Sequence, residues 1–388
     1  TKERDVRYTK AETSNSHTLQ IDYTEPFDSS KHVVEAGIKY ILRYNASDNQ
    51  YRRYNPITGE YDQDDLDDKG NIRKENDMDY YQHIVGAYAS YTFKLKKFSL
   101  RLGGRLEGTY QDVRFADEAA RNFKVRFLDL IPYVSTSFKL TDASNLRVSY
   151  NNGISRPSIW FLNPYVDDKD PYRISYGNPN LKSERSHNFS VSYGLFSQKL
   201  NLSISVYSSI VNNSIESNDS VDSKGIRYHT YANIGSNGNL GGSFYINYNP
   251  IKWFSFWTSL STGYSRYTNR ASISEGAFFS GYGGVNFHLP WKMRLHIGIG
   301  GNPVSTSYRY KGTGWYYYYT SLSRSFLKGD KLSVSIGAYN FLEKYRDYRS
   351  TSWAEGVYTS NSVSRSPARS FSISVSWRFG EMKAQIKK

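Results

Sequence analysis

Nine acidic residues crowd one stretch of this 388-residue chain: Glu60, Asp62, Asp64, Asp65, Asp67, Asp68, Glu75, Asp77 and Asp79. Carboxylate oxygens at that density are the hard ligands Ca²⁺ takes. Asp65, Asp67 and Gly70 follow part of a calcium-loop pattern, but the bidentate Glu that closes such a loop is not in place. A solvated acidic loop is the plainer expectation, and no cofactor is expected. The seven histidines, His17, His32, His83, His187, His229, His288 and His296, show no paired ligand spacing. Cysteine is absent, which removes thiolate metal sites, disulfides and a Cys nucleophile. No phosphate-cradling loop and no nucleophile elbow occurs, and Gly281, Gly283 and Gly284 fall inside an alternating segment, where glycine means a bend or close packing. The chain is not expected to be an enzyme.

Ligand contact is a better prospect. Flat rings stack on sugars and apolar nutrients, and Trp160, Phe161, Tyr165, Tyr172, the run from Trp315 to Tyr319, and Trp353 all fall at or near long connections. Arg156, Trp160, Tyr165, Tyr172, Asn178, Trp315 and Trp353 are therefore the candidate ligand-binding residues. The competing reading is loop and interfacial packing. Arg101, Arg105, Arg147 and Arg378 share the polar side of their segments. They could draw anionic solutes or pair with carboxylates, and Glu107 is a candidate partner for the first two.

The elements that must hold these residues are strands. From Ser370 to Phe379, Phe371, Ile373, Val375, Trp377 and Phe379 alternate with Ser372, Ser374, Ser376 and Arg378. That period of two gives a strand one apolar and one polar face. The pattern predicts about sixteen strands, roughly at 2–9, 16–25, 32–45, 79–94, 97–112, 124–139, 144–155, 185–197, 199–213, 226–248, 253–268, 274–288, 291–303, 314–327, 330–342 and 367–379. Short turns alternate with long loops, the latter at 46–78, 113–123, 156–184, 214–225, 269–273, 304–313 and 343–366. Outer-membrane barrels sort their connections this way. Mean hydropathy is −0.66, and no run of about 20 apolar residues could form a membrane helix. A barrel averages its two faces and escapes that test. Aromatics reach 16%, and Trp253, Phe254, Phe256, Trp257 and Trp291 stand beside short turns, as interfacial girdles require.

Net charge is +14, yet no basic helix, zinc-finger spacing or Lys/Arg block accompanies it. No nucleic-acid partner is expected; anionic lipid head groups or a positive lumen fit better. The fold expected is all-β, a transmembrane antiparallel up-and-down barrel. The absence of an initial Met or leader points to a cleaved signal or a piece of a longer protein, and a first segment already strand-like favours a piece.

Three motifs add to this: RPSIWFLNPY at 156–165, YGNPNLKSERSHNFSVSY at 176–193, and SFSISVSWRFGEMKAQIKK at 370–388. Together they resemble the Bacteroidota outer-membrane β-barrel family of TonB-dependent-receptor-like proteins, over essentially the whole chain as a C-terminal barrel portion. The resemblance implies a barrel of about 22 strands around an N-terminal plug, so about six strands, the plug and the TonB-contact segment would precede Thr1. It implies nutrient uptake (a glycan, peptide or chelate) across the outer membrane, with the TonB complex, lipopolysaccharide and possible surface lipoproteins as partners. Long loops would be extracellular and the tail at 381–388 periplasmic. A passive sixteen-stranded pore and a surface adhesion barrel are the alternatives. Independently of family, Pro157, Pro164 and Pro179 with Gly177, Asn178 and Asn180 predict a structured loop that re-enters the sheet near Ser186.

Overall fold

The computed structural model describes residues 5–64, 77–116, 122–170, 172–269, 273–307, 309–354 and 358–379. Asp65, Asp67, Asp68, Gly70 and Glu75 of the acidic stretch, Pro171 and the tail at 381–388 lie outside the described residues. The order of elements is β1 (Val6–Phe27), β2 (His32–Asn55), β3 (Glu60–Asp64), β4 (Met78–Lys94), β5 (Phe98–Phe115), β6 (Phe123–Lys139), β7 (Ser144–Ser155), α1 (Ile159–Leu162), β8 (Asp167–Asp170), β9 (Arg173–Ser175), β10 (Glu184–Phe196), β11 (Leu200–Val221), β12 (Arg227–Ile251), β13 (Phe254–Thr268), β14 (Ile273–Leu289), β15 (Met293–Ser307), β16 (Tyr310–Phe326), β17 (Leu332–Tyr339), β18 (Tyr345–Ala354), β19 (Tyr358–Pro367) and β20 (Ser370–Trp377).

Long strands pair antiparallel with their neighbours in the chain. β1 pairs with β2, β2 with β4 and β4 with β5. β12 through β17 follow one another, and β17 pairs with β20. β5 to β12 continue the same sheet. Among the described residues there are 20 strands, of which β3, β8, β9, β18 and β19 only elaborate connections and the other fifteen form the main ladders. Among the described residues, β1 pairs along β2 and β20 along β17.

Two expectations change here. Segments 2–9 and 16–25 belong to one strand, β1, paired residue for residue with β2 from Val6↔Arg53 to Phe27↔His32. Its middle, Lys10 to Ser16, is polar on both faces and hides the period. Several expected loops are likewise strand: β2 runs on to Asn55, β11 to Val221, β15 to Ser307, and β18 and β19 form a hairpin within 343–366. A ladder that continues past the apolar band keeps its backbone hydrogen bonds, but with water on both faces nothing selects for alternation.

Contacts divide the chain into two compact units, the first comprising Thr1–Ser135, Asn151–Ser186 and Asn213–Ile234. In it, Leu19, Ile21 and Tyr23 of β1 stand opposite Tyr40, Ile38 and Ala36 of β2, all on one face. Leu19 and Ile21 are 66% and 59% exposed. The other face carries an ionic network: Tyr88 donates to Asp22 at 2.5 Å, Ser90 to Glu35 at 2.8 Å, and Arg101 also pairs with Glu35. The polarity is that of a sheet with hydrocarbon outside and water inside. The buried apolar core is small, Tyr80, Val113 and Phe115, with Met78, Phe123 and Ile159 packed on it.

The second unit comprises Thr136–Tyr150, His187–Asn212 and Gly235–Lys388. Leu322, Ile336 and Ile373 line up across β16, β17 and β20, and Val285, Ile297 and Thr320 across β14, β15 and β16. Ile336 and Ile373 are 52% and 78% exposed. The reverse face is Ser, Asn and Gly with aromatic rings laid over it. Phe254 and Phe256 share the apolar face, whereas Trp257, expected with them, falls on the reverse face opposite Gly284. The turn Pro290–Met293 closes with Met293 N donating to Pro290 O at 3.3 Å, and Trp291 and Lys292 both take φ 58°. Such left-handed pairs match the twist of a hairpin, and leave Trp291 exposed at the strand end.

Candidate ligand-binding site at residues 156–184

The site lies in the first unit, on the polar face, where residues 156–184 fold against the strands. Arg156 follows β7 and anchors the segment. Its Nη2 donates to Glu107 Oε2 at 2.7 Å and Asp129 Oδ2 at 3.3 Å. Arg105 also pairs with Glu107 at 2.5 Å, and Arg185 with Asp129 at 3.6 Å. Arg105 thus finds its expected carboxylate, while Arg101 uses Glu35. Charge-assisted bonds between largely buried groups hold position well, because releasing either partner strands a charge.

After Pro157, the single turn α1 buries Leu162 completely and sets Ile159 on the Tyr80 cluster. The GNPN motif staples the far end. Gly177 N donates to Asn163 O at 2.8 Å, Asn178 N to Phe161 O at 2.6 Å, and Asn178 Nδ2 to Tyr231 O at 2.9 Å. A Cβ on Gly177 would collide with the Asn163 carbonyl, so only glycine permits this approach. Lys182 N donates to Asn233 Oδ1 at 2.8 Å, and Ile215 N to Glu184 Oε1 at 2.7 Å. β8 and β9 form a small hairpin, and β9 adds in parallel to β12, setting Ser175 beside His229.

This folding leaves a cavity of about 340 Å³ lined by Tyr8, Lys10, Glu12, Ser47, Asn49 and Met78 from the strands, by Trp160, Asn163, Tyr165, Asp167, Arg173, Ser175, Tyr176 and Gly177 from the segment, and by His229 and Tyr231 from β12. That is the lower end of the size range of ligand pockets. Lys10 sits 5.2 Å above the Trp160 ring and pairs with Glu12. Tyr8 OH donates to Asn49 Oδ1 at 2.6 Å. His229 Nδ1 is 2.7 Å from Asp219 Oδ1, and Arg227 Nη2 is 3.3 Å from the same oxygen. Burial would raise the Asp219 pKa, but the hydrogen bond from His229 and the charge of Arg227 outweigh it and hold the carboxyl below its usual range.

Of the expected residues, Trp160 and Tyr165 line the cavity. Arg156 and Asn178 hold the segment in place through the bonds above. Tyr172 projects from the β8–β9 tip, 74% exposed. Trp315 and Trp353 belong to the second unit. Trp315 opens a ring series in which Tyr317 and Tyr319 follow at 5.8 Å steps, over Gly300 and Gly298. A Cβ at Gly298 would strike the Tyr319 ring, so these rings pack the wall. Tyr8, Asn49, Tyr176, His229 and Tyr231 were not marked by spacing. Among the described residues, no group of three His, Asp or Glu side chains is placed to hold a metal ion.

A second cavity of about 430 Å³ lies on the same face, lined by Lys39, Arg43, Arg105 and Arg156 with Glu107 as its one carboxylate, and closed by Gln20, Ile41, Ile84, Gly86, Tyr88 and Ile154. Arg43 donates to Gln82 Oε1 at 3.1 Å.

Solved outer-membrane proteins share this fold. The copper transporter OprC superposes with a TM-score of 0.68 at 14% identity, over 95% of this chain and 57% of OprC. The ferric citrate transporter FecA gives 0.69 at 12% identity, over 97% of this chain and 56% of FecA. The ferripyoverdine receptor of the outer membrane of Pseudomonas aeruginosa gives 0.63 at 15% identity, over 96% and 49%. The chain therefore spans about half the length of the solved structures it matches. No curated protein sequence matches it. Residues 1–377 match the model of one family, and the chain belongs to it: the outer membrane protein beta-barrel family.

Proposed function

We propose that the chain, residues 1–388, is the C-terminal barrel portion of a TonB-dependent-receptor-like transporter that takes up a scarce nutrient, a glycan, peptide or chelate. The observation that carries this reading is the aromatic and polar cavity at Trp160 and Tyr165. It is built by a segment clamped at both ends on the polar face of a sheet whose other face suits hydrocarbon. A transporter needs a rigid pocket in its passage, and a clamped segment supplies one.

In this reading strands and a plug outside these residues complete the barrel, and the N-terminal region meets the TonB complex. The long connections face outward, where a surface lipoprotein and lipopolysaccharide would be met, and the C-terminus lies in the periplasm. A chain that spans about half the length of the solved structures it matches favours part of a larger barrel over a self-contained sixteen-stranded pore. The test is uptake in cells carrying the full-length protein. Trp160→Ala with Tyr165→Ala should abolish high-affinity growth on the limiting nutrient without lowering the amount of heat-modifiable barrel. Uptake that survives both this change and collapse of the proton gradient would sink the proposal.

A further inference from the structure

We infer that the Trp160 cavity takes a neutral polyhydroxylated ligand, a sugar, and that the Nε2 edge of His229 hydrogen-bonds one of its hydroxyls. The inference rests on the proposed transport role and names the ligand class for that pocket.

Asp219 is nearly fully buried and ionised, so it can only accept. The proton between it and His229 therefore sits on Nδ1, which leaves Nε2 as the other hydrogen-bonding end of the ring. His229 lines the cavity and Asp219 does not. The ring edge that the cavity meets is thus Nε2, for which no partner occurs among the described residues. Tyr231 packs edge-on against the imidazole at 5.1 Å and fixes its plane. This is a preset hydrogen-bonding edge.

The remaining lining sets the class. Lys10 and Glu12 pair with each other, and Arg173 and Asp167 balance in sign, so the Lys, Arg, Asp and Glu charges of the lining cancel. An anionic chelate or a peptide terminus would enter without a compensating charge, at a desolvation cost. A hydroxyl both donates and accepts, and meets Arg173, Asp167 and His229 equally well. The rings of Trp160 and Tyr165 supply flat apolar surface for the C–H face of a pyranose.

The test uses detergent-solubilised full-length protein against three probes: an array of neutral oligosaccharides, the zwitterionic peptide triglycine, and ferric citrate. We expect saturable binding to at least one neutral glycan. Trp160→Ala and His229→Leu should each weaken it at least tenfold, and His229→Gln, which keeps a hydrogen-bonding end, about threefold or less. Heat-modifiable mobility of each variant shows that the barrel has formed. Binding of triglycine or ferric citrate that depends on Trp160 and His229 overturns the sugar assignment while leaving the pocket's transport role intact. Binding to no neutral glycan on the array also overturns it. Uptake indifferent to the Trp160 and Tyr165 changes would remove the transport role itself.

Discussion

Replacing Arg156 with Ala should free the 156–184 segment without destroying the sheet. The guanidinium bridges Glu107 and Asp129, whose side chains are 12% and 5% exposed. Breaking a buried pair costs about 3–5 kcal/mol because it strands the partner charge. Here each carboxylate keeps a second arginine, Arg105 at 2.5 Å and Arg185 at 3.6 Å, both about half exposed. Those contacts and solvent reduce the loss to about 2–3 kcal/mol. At 1.4 kcal/mol per tenfold, the clamped state should lose a factor of roughly 30 to 150 against the released one. Amide hydrogen exchange reads this directly, since Asn163, Gly177 and Asn178 have backbone donors bonded within the segment. Their protection should drop by that factor while amides in β4 and β5 hold theirs. Adding Glu107→Gln and Asp129→Asn to Arg156→Ala should recover most of the protection, because no buried charge is then left alone. Unchanged exchange in the single variant, or a triple variant no better protected than the single, would refute the reasoning.

Gly177→Ala forces a Cβ into the Asn163 carbonyl and should cost about 1–3 kcal/mol, seen as new proteolytic cleavage within 156–184. Ile336→Arg places a charge on the apolar face and should cost about 2–4 kcal/mol if it lies near the bilayer midplane, lowering the temperature at which the SDS-resistant band converts. Ser335→Arg, one residue away on the polar face, should leave that temperature nearly unchanged. Because the Asp219 pKa is depressed on folding, its contribution is complete above the ordinary value of 3.8 and fades as pH falls through the lower folded value. Exchange protection at Arg227, whose side chain pairs with Asp219, should therefore fall only as pH drops below the ordinary value, and Asp219→Asn should remove the step.

How much could be read without coordinates depends on whether a residue meets two different media. Leu332, Val334, Ile336 and Ala338 alternate because one face meets hydrocarbon and the other water, and β17 was legible for that reason. Residues 46–55 of β2 are mostly polar on both faces, carry no period, and read as loop although residues 46–53 pair with β1. Trp257 was grouped with Phe254 and Phe256 by proximity, but parity places it on the other face. Within the site, Trp160 and Tyr165 were legible as rings in a proline-bounded loop. Asn178 was marked for ligand contact, and its amide is instead spent on the Tyr231 carbonyl. His229 could not be found, because its place in the cavity follows from β9 pairing in parallel with β12, a contact between distant segments that no local pattern encodes.

The long antiparallel ladders constrain how this chain can enter a bilayer. A strand edge presents its outward N–H and C=O groups at every second residue, and about ten residues of each strand would cross the hydrocarbon. That leaves about five donors and five acceptors on each edge facing lipid, at several kcal/mol apiece. The sum, on the order of tens of kcal/mol, exceeds the whole net stability of an ordinary domain. No strand edge can wait uncovered in the membrane until its neighbour arrives. Insertion and strand pairing are thus one event, and every partly inserted intermediate needs something else to shield its open edge.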